Sequence, residues 1–425
     1  MDTLKVTGGT KLAGDVFIHG SKNAALPILA ATLLFDDASL ILDCIPKIKD
    51  VELMIELLEK NGLTVERTKE QLQIKIPENA EIISCAPDRL TSKMRATLMV
   101  LGPLLAIGKD VAIALPGGCS IGYRPIDMHI AALEAMGAEI ELVHGRIFAK
   151  APNRLKPALI TLDYPSVGAT ENIIMAAVLT KGTTRIRNAA KEPEVTDLVR
   201  FLNQAGAKIS GAGTSELEIE GVTQLKQKVV YEIIPDRIEA ATFMIAAAVT
   251  GGEIRIHHTI PKHLESLIAK LREIGVEITI QDDTIVVNGK NSYQTKQSID
   301  IKTGPYPGFQ TDIQALILPL LMKNKITSVT IDNVFDQRFR HVPEFLKIGA
   351  NITQINNMLI INQTEKIYSG KVEAPDVRAA AALILLGLSE NITIEITQID
   401  HLYRGYENLV EQLNALGATI TSTKK

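Results

Sequence analysis

The chain contains no tryptophan, and aromatic residues make up only 4% of its 425 positions. So few rings argue against base-stacking platforms for nucleic acid and against an aromatic belt at a membrane interface. No charge of one sign dominates either. The net charge is −4, so no global basic field recruits polyanions, and any anion site has to be local. Long apolar runs are missing: the longest, near Ala24–Phe35 and Ala379–Leu388, fall short of the ~20 residues that span a bilayer. Met1 to Lys5 lacks the basic-then-apolar pattern of a secretory leader. The three cysteines, Cys44, Cys85 and Cys119, are an odd number without metal-ligand spacing. That pattern excludes a disulfide framework and leads us to expect a reduced, cytoplasmic protein. No two histidines have ligand spacing, and neither a Walker A loop nor a dinucleotide fingerprint occurs. Neither a metal nor a cofactor is expected.

What the chain does have is repetition. A helix-like segment, a glycine, a small or branched apolar residue and a strand-like run recur six times, at Gly62, Gly137, Gly206, Gly275, Gly349 and Gly417. Each glycine fits a helix end, where a left-handed residue turns the chain into the next strand. Every unit reads as strand, buried-type helix, strand, amphipathic helix, glycine turn and closing strands. The first helix of each, such as Ala240–Val249 or Arg378–Leu386, is apolar nearly all round, as a fully buried helix must be. A unit of this kind cannot bury that helix alone, so copies must pack together. Three units around their buried helices, with sheets outside, make one domain, and six make two. A break near Ile234-Pro235-Asp236 places the first domain at 22–234. The strands Leu4–Thr7 and Val16–His19 are expected to complete the sixth unit, giving a second, discontinuous domain of 1–21 plus 235–425.

The loops that enter the helices gather charge. Those before the first helices carry Lys22-Asn23, Arg95, Ser166-Val167, Asp236-Arg237, Thr311-Asp312 and Asp376-Val377-Arg378. Those before the second helices carry Cys119 with Arg124, then Lys191, Arg338 with Arg340, and Arg404. Helix N-termini favour anions. Arginine grips carboxylate or phosphate with two parallel bonds and lysine acts as a point charge. The set points to a substrate with more than one anionic group, bound in a cleft between the domains. Asp312 and Asp376 are candidates for moving a proton or holding an arginine. Cys119 lies in the glycine-rich loop Leu115–Pro125, five residues before Arg124. A nearby cation draws a thiol's pKa toward neutrality, where it serves as acid or nucleophile.

Six stretches together resemble the UDP-N-acetylglucosamine 1-carboxyvinyltransferases, a family of enolpyruvyl transferases. They are Gly20–Pro27, Leu115–Pro125, Pro165–Asn172, Pro235–Glu239, Arg338–Glu344 and Arg404–Glu407. The resemblance covers essentially the whole chain. It implies an α/β architecture, the two-domain inverse α/β barrel, matching the six repeats counted above. It implies transfer of the enolpyruvyl group of phosphoenolpyruvate to the 3′-hydroxyl of UDP-N-acetylglucosamine with release of phosphate, the first committed step of peptidoglycan synthesis. By resemblance, Cys119 is the thiol that protonates the substrate methylene, Asp312 the base toward the sugar hydroxyl, and Lys22, Arg404 and Asp376 further catalytic residues. Lys22, Asn23, Arg124, Arg338, Arg378 and Arg404 would hold phosphoenolpyruvate, with Asp376 paired to Arg378 in support. Arg95, Arg124, Pro125, Ile126, Asp127, Met128, Tyr164, Pro165, Ser166, Val167, Asp312 and Val334 would meet the nucleotide sugar. No cofactor or metal is implied, nor any nucleic acid or membrane partner, and a monomer or weak oligomer is expected. The loop thiol also implies alkylation by the epoxide antibiotic fosfomycin. The competing readings are a transferase of the 5-enolpyruvylshikimate-3-phosphate synthase type and an inactive anion-binding paralogue.

Overall fold

The computed structural model describes residues 3–68, 71–78, 80, 95–115, 126–293 and 297–423, with backbone alone at 95 and 96. The described chain divides into two compact units, one running from Gly20 to Ile234 and the other joining the N-terminal segment through His19 to Pro235 onward.

Six glycines set the rhythm. Gly62, Gly137, Gly206, Gly275, Gly349 and Gly417 all have φ between 83° and 103°, a region where a Cβ is unwelcome. Each makes the same two bonds. At the first, Gly62 N donates to Glu59 O and Leu63 N to Leu58 O; at the last, Gly417 N donates to Asn414 O and Ala418 N to Leu413 O. This pair satisfies the orphan carbonyls of the helix end and aims the chain into a strand.

Five four-stranded sheets and one three-stranded sheet form among the described residues. In the first, Ala38–Asp43 pairs antiparallel with Gln71–Ile76, which forms a hairpin with Thr64–Arg67. Strands such as Glu216–Glu220 alternate exposed and buried residues without a break, the period-2 signature of a sheet with one wet face. The covered faces meet the first helices. Arg237–Thr250, Thr311–Lys323 and Val377–Ser389 pack on one another, and all thirteen residues of Val377–Ser389 are buried. In the other unit, Lys22–Ala31 and Val167–Ala177 pack around the segment 95–106. The second helices are one-sided: Lys49–Lys60 buries Val51, Met54, Ile55, Leu57 and Leu58 and exposes Glu52 and Glu59.

The N-terminal strands depart from expectation in one respect. Thr3–Thr7 does close the sixth sheet, lying between Thr393–Thr397 and Thr419–Thr423. The second strand does not join it. Ala13–Phe17 runs parallel to Glu253–His257 in the fourth sheet, and Lys228–Glu232 runs parallel to Ala38–Asp43 in the first. Each strand thus leads into one unit's helix while pairing in the other unit's sheet. The exchange takes place where the chain passes between units. There His19 O accepts from Asp236 N and Ile234 O accepts from Ser21 N, so the two passages run side by side. Gly20 is needed at that point because a Cβ there would stand 1.7 Å from the Cys44 carbonyl oxygen.

Candidate active site

In the unit that holds residues 235–423, three buried helices begin close together and their first turns are polar. Asp236 caps Arg237–Thr250, accepting from Ile238 N and Glu239 N. Asp376 caps Val377–Ser389, accepting from Arg378 N at 2.8 Å and Ala379 N at 2.9 Å. Between them stands Asp312, in the first turn of Thr311–Lys323. Its Oδ1 accepts from Arg378 Nε at 2.9 Å and Arg338 Nη2 at 2.8 Å, while Oδ2 has no hydrogen-bond partner among the described residues. Both guanidinium groups are almost fully buried, whereas a quarter of the Asp312 side chain (26%) stays accessible. Burial would raise the carboxyl's pKa. The charges of Arg378 and then Arg338 outweigh it and hold Asp312 well below the usual carboxylate range.

Both arginines are held along their length. Arg338 also donates to Thr311 O from Nε and Nη2 and lies over the Phe335 ring. Arg378 lies over the Tyr406 ring at 5.7 Å, and the Tyr406 hydroxyl bonds Thr242 Oγ1 at 2.9 Å. Val334 joins the group through the main chain. Its N–H donates to Asp332 Oδ1, and Asp332 Oδ2 accepts from Thr311 Oγ1. Arg404 ends the short 3₁₀ turn Ile399–Arg404. The following Gly405 lies so close to Val377 that a Cβ would stand 2.6 Å from its Cγ1 and 3.6 Å from Arg378 Nη1. Arg404 is therefore next to this cluster. The expected Asp376–Arg378 pair is made differently: Asp376 takes the Arg378 amide as a cap, and the guanidinium goes to Asp312.

In the other unit, Ser21 caps Lys22–Ala31 and Lys22 Nζ lies 3.5 Å from the buried Asp50. Asn23 follows in the same first turn, half-buried. Ser166 caps Val167–Ala177. Its neighbour, the helix Asp127–Ala135, is tied to it by His129, whose Nδ1 accepts from Asn172 Nδ2 at 2.8 Å. Asn172 also bonds Leu98 O and Gly102 N. A Cβ on Gly168 would stand 3.1 Å from the His129 ring. Two helix N-termini are thereby brought together, with Ile126, Asp127 and Met128 on one and Tyr164, Pro165, Ser166 and Val167 on the other. Asp127 and Tyr164 are exposed there. Cys119, Arg124 and Pro125, like Tyr123 and Cys85, lie outside the described residues, as does the Arg95 side chain.

The model of the EPSP synthase family (3-phosphoshikimate 1-carboxyvinyltransferase) matches residues 6–413. The chain belongs to this family. Within this enolpyruvyl transferase group it is similar to curated proteins named UDP-N-acetylglucosamine 1-carboxyvinyltransferase. One from Caldanaerobacter subterraneus subsp. tengcongensis is 47% identical over 96% of both chains. One from Trichlorobacter lovleyi and one from Staphylococcus aureus are each 45% identical over 99% of both. Among solved structures, the enolpyruvyl transferase NikO from Streptomyces tendae superposes with a TM-score of 0.86 at 23% identity, covering 99% of both chains. EPSP synthase from Acinetobacter baumannii gives 0.76 at 17% identity, covering 100% of both. The fold is thus that of the enolpyruvyl transferases. No helix among the described residues is long and apolar enough to cross a membrane.

Three features of this family member escape a reading of the sequence. His129 lies in a helix whose pattern names no partner for it, and its bond to Asn172 spans 43 positions. Asp332, which links Thr311 to Val334, sits at the end of an ordinary strand. Thr242 and Tyr406, 164 positions apart, support Arg378 from below. Only Thr242, a polar residue among the apolar ones in the middle of the buried Arg237–Thr250 helix, hints at the last.

Proposed function

We propose that the chain transfers the enolpyruvyl group of phosphoenolpyruvate to the 3′-hydroxyl of UDP-N-acetylglucosamine, releasing phosphate, in the first committed step of peptidoglycan synthesis. The observation that carries this reading is the near-full-length identity of 44–47% to proteins bearing that activity's name. The Asp312–Arg338–Arg378 cluster supports it, because phosphoenolpyruvate brings two anionic groups and the product acquires its bond through loss of a hydroxyl proton.

In this reading Lys22, Asn23, Arg124, Arg338, Arg378 and Arg404 hold the phosphate and carboxylate. The Cys119 thiol gives its proton to the methylene carbon while the sugar hydroxyl adds to the neighbouring carbon and loses its proton to Asp312. The tetrahedral adduct carries the charge of both anionic groups, and cations fixed in advance stabilise it more than they stabilise the separate substrates. Loss of a methyl proton and of phosphate then restores the double bond. Asp376, by capping the helix that carries Arg378, keeps that guanidinium in register. The clamped Asp312 is a poor base while both arginines rest on it. A bound anion that draws them away raises its pKa, so the base becomes competent only when phosphoenolpyruvate is in place. The nucleotide sugar would lie on the paired helix starts at Ile126–Met128 and Tyr164–Val167 together with Arg95, Pro125 and Val334. We further place the enzyme in the cytoplasm, as a monomer or weak oligomer, since its cysteine usage fits a reducing compartment.

Phosphate release, measured with phosphoenolpyruvate alone, with UDP-N-acetylglucosamine and with shikimate 3-phosphate, tests the reading. Release that depends on the nucleotide sugar is expected; release only with shikimate 3-phosphate, or none, rejects it. Fosfomycin should add its mass to the intact protein when the sugar is present, and Cys119→Ser should abolish the adduct.

A further inference from the structure

Four of the buried first helices carry a cap of their own, from Ser21, Ser166, Asp236 and Asp376. Thr311–Lys323, the helix that bears Asp312, does not. Gln310 stands at its cap position, and that side chain makes no capping bond. The start of this helix is held from another element instead. Asp332 is 2% exposed and lies just past the strand Ser328–Ile331. Its Oδ2 accepts from Thr311 Oγ1 at 2.7 Å, across 21 positions. Its Oδ1 accepts from Val334 N at 2.9 Å and Phe335 N at 3.0 Å, the bonds of an Asx-type turn. The Asp332 main chain is fixed in turn by Asn357, whose carbonyl accepts from Asp332 N at 2.9 Å and whose Nδ2 donates to Asp332 O at 3.1 Å.

The two oxygens thereby fix two groups that meet on one side chain. Thr311 O accepts from Arg338 Nε at 3.3 Å and Nη2 at 3.2 Å. The Arg338 guanidinium also stands 5.7 Å from the centre of the Phe335 ring. From that seat Nη2 reaches Asp312 Oδ1 at 2.8 Å. A turn of this kind needs one side-chain oxygen, which asparagine supplies equally well. The second oxygen of Asp332 bonds only Thr311 among the described residues. We infer that Asp332 is a positioning residue: its carboxyl group sets the Thr311 carbonyl and the Phe335 ring at a fixed separation, so that Arg338 meets Asp312 and the substrate anion from one place. The kinetic part of the test rests on the enolpyruvyl-transfer reading; the structural part does not.

The bond between Asp332 and Thr311 can be cut from either side. Thr311→Val keeps the shape and removes the hydroxyl, and Thr311→Ser restores it. Asp332→Asn keeps Oδ1 for the turn and puts an amide nitrogen where Oδ2 faced Thr311. Misplacing a supporting group costs up to the order of 10²-fold, so Thr311→Val should lose about ten- to a hundredfold in kcat/KM for phosphoenolpyruvate. KM should rise as part of that loss, whereas a protein that merely folds less well shows a smaller active fraction and an unchanged KM. Thr311→Ser should recover most of the loss. Adding Asp332→Asn to Thr311→Val should cost little more, since groups that act through one bond are not additive. In a crystal structure of Thr311→Val, Arg338 should leave hydrogen-bond distance of Asp312, and in Thr311→Ser it should remain. Wild-type kinetics in Thr311→Val, a serine variant no better than the valine one, fully additive losses, or an unmoved Arg338 would overturn the inference. A wild-type enzyme without sugar-dependent phosphate release would instead reject the function, and the two crystal structures would still decide the role of Asp332.

Discussion

The proposed reaction places two opposed demands on Asp312: to stay ionised among buried arginines and to accept a proton from a hydroxyl. The first is met by Arg378 and Arg338, which hold its carboxyl far below its ordinary range. A group with a depressed folded-state pKa adds stability above its unfolded value of ~3.9, and that stability is lost as pH falls through the folded value. Here the folded value lies under the working range, so Asp312 should show no titration between pH 4 and 9 in carboxyl-carbon NMR of the free protein. A transition within that window would mean the arginines do not hold it. The second demand predicts that Asp312→Asn, which keeps the shape and loses the basicity, lowers kcat by roughly 10²–10⁴-fold, the span of general-base contributions. Because the same change leaves Arg338 and Arg378 facing a neutral amide, the variant should gain more Tm from added inorganic phosphate than the wild type does. An equal phosphate effect in both proteins would contradict the anion-receptor role of the pair.

Helix ends show how far local rules reach. The six glycine turns are readable because the left-handed residue, the hydrophobic periodicity before it and the strand after it all lie within a few positions of one another. The pairing of strands is less readable. Val16 and Val229 belong to similar edge strands, and no residue in either marks which parallel partner it will take, since parallel pairing is set by tertiary packing. Asp312 is visible as a candidate because it opens a repeated helix. Its two arginines, 26 and 66 positions away, are visible only as members of other loops. Two glycines offer contrasting tests. Gly137 has φ 92°, and no atom lies within 4 Å of the point a Cβ would occupy. Gly137→Ala should therefore cost only the conformational penalty, about 1 kcal/mol, with kinetics intact. Gly405 has no positive φ, but a methyl there would meet Val377 and crowd Arg378. On the proposed role of Arg404 in holding phosphoenolpyruvate, Gly405→Ala should raise KM for that substrate by displacing Arg404. The pair fails as an explanation if Gly137→Ala impairs turnover or Gly405→Ala leaves KM unchanged.

The exchange of edge strands decides which piece of the chain can stand alone. In the unit from Gly20 to Ile234, the first sheet takes its outer strand from Lys228–Glu232, at the far end of the segment, and Val229 and Tyr231 enter its core. Tyr231 further bonds the buried Asp197 at 2.6 Å, which fastens the strand to the Pro193–Gln204 helix. A fragment of residues 20–234 keeps these contacts, and one of residues 20–226 loses them while differing by only the last strand and its approach. The first fragment should unfold in a single cooperative transition and protect the amides of Ala38–Asp43 from hydrogen exchange. The second should leave that edge open and unprotected. The strand that precedes this sheet in the sequence, Ala13–Phe17, should give the opposite result when tested in the same way. Extending the shorter fragment back to residue 3 restores nothing, because that strand's partner, Glu253–His257, is not in the fragment. Protection of Ala38–Asp43 regained by the N-terminal extension, or retained without residues 228–232, would show that the sheet takes its edge from the strand that precedes it in sequence and would refute the exchange.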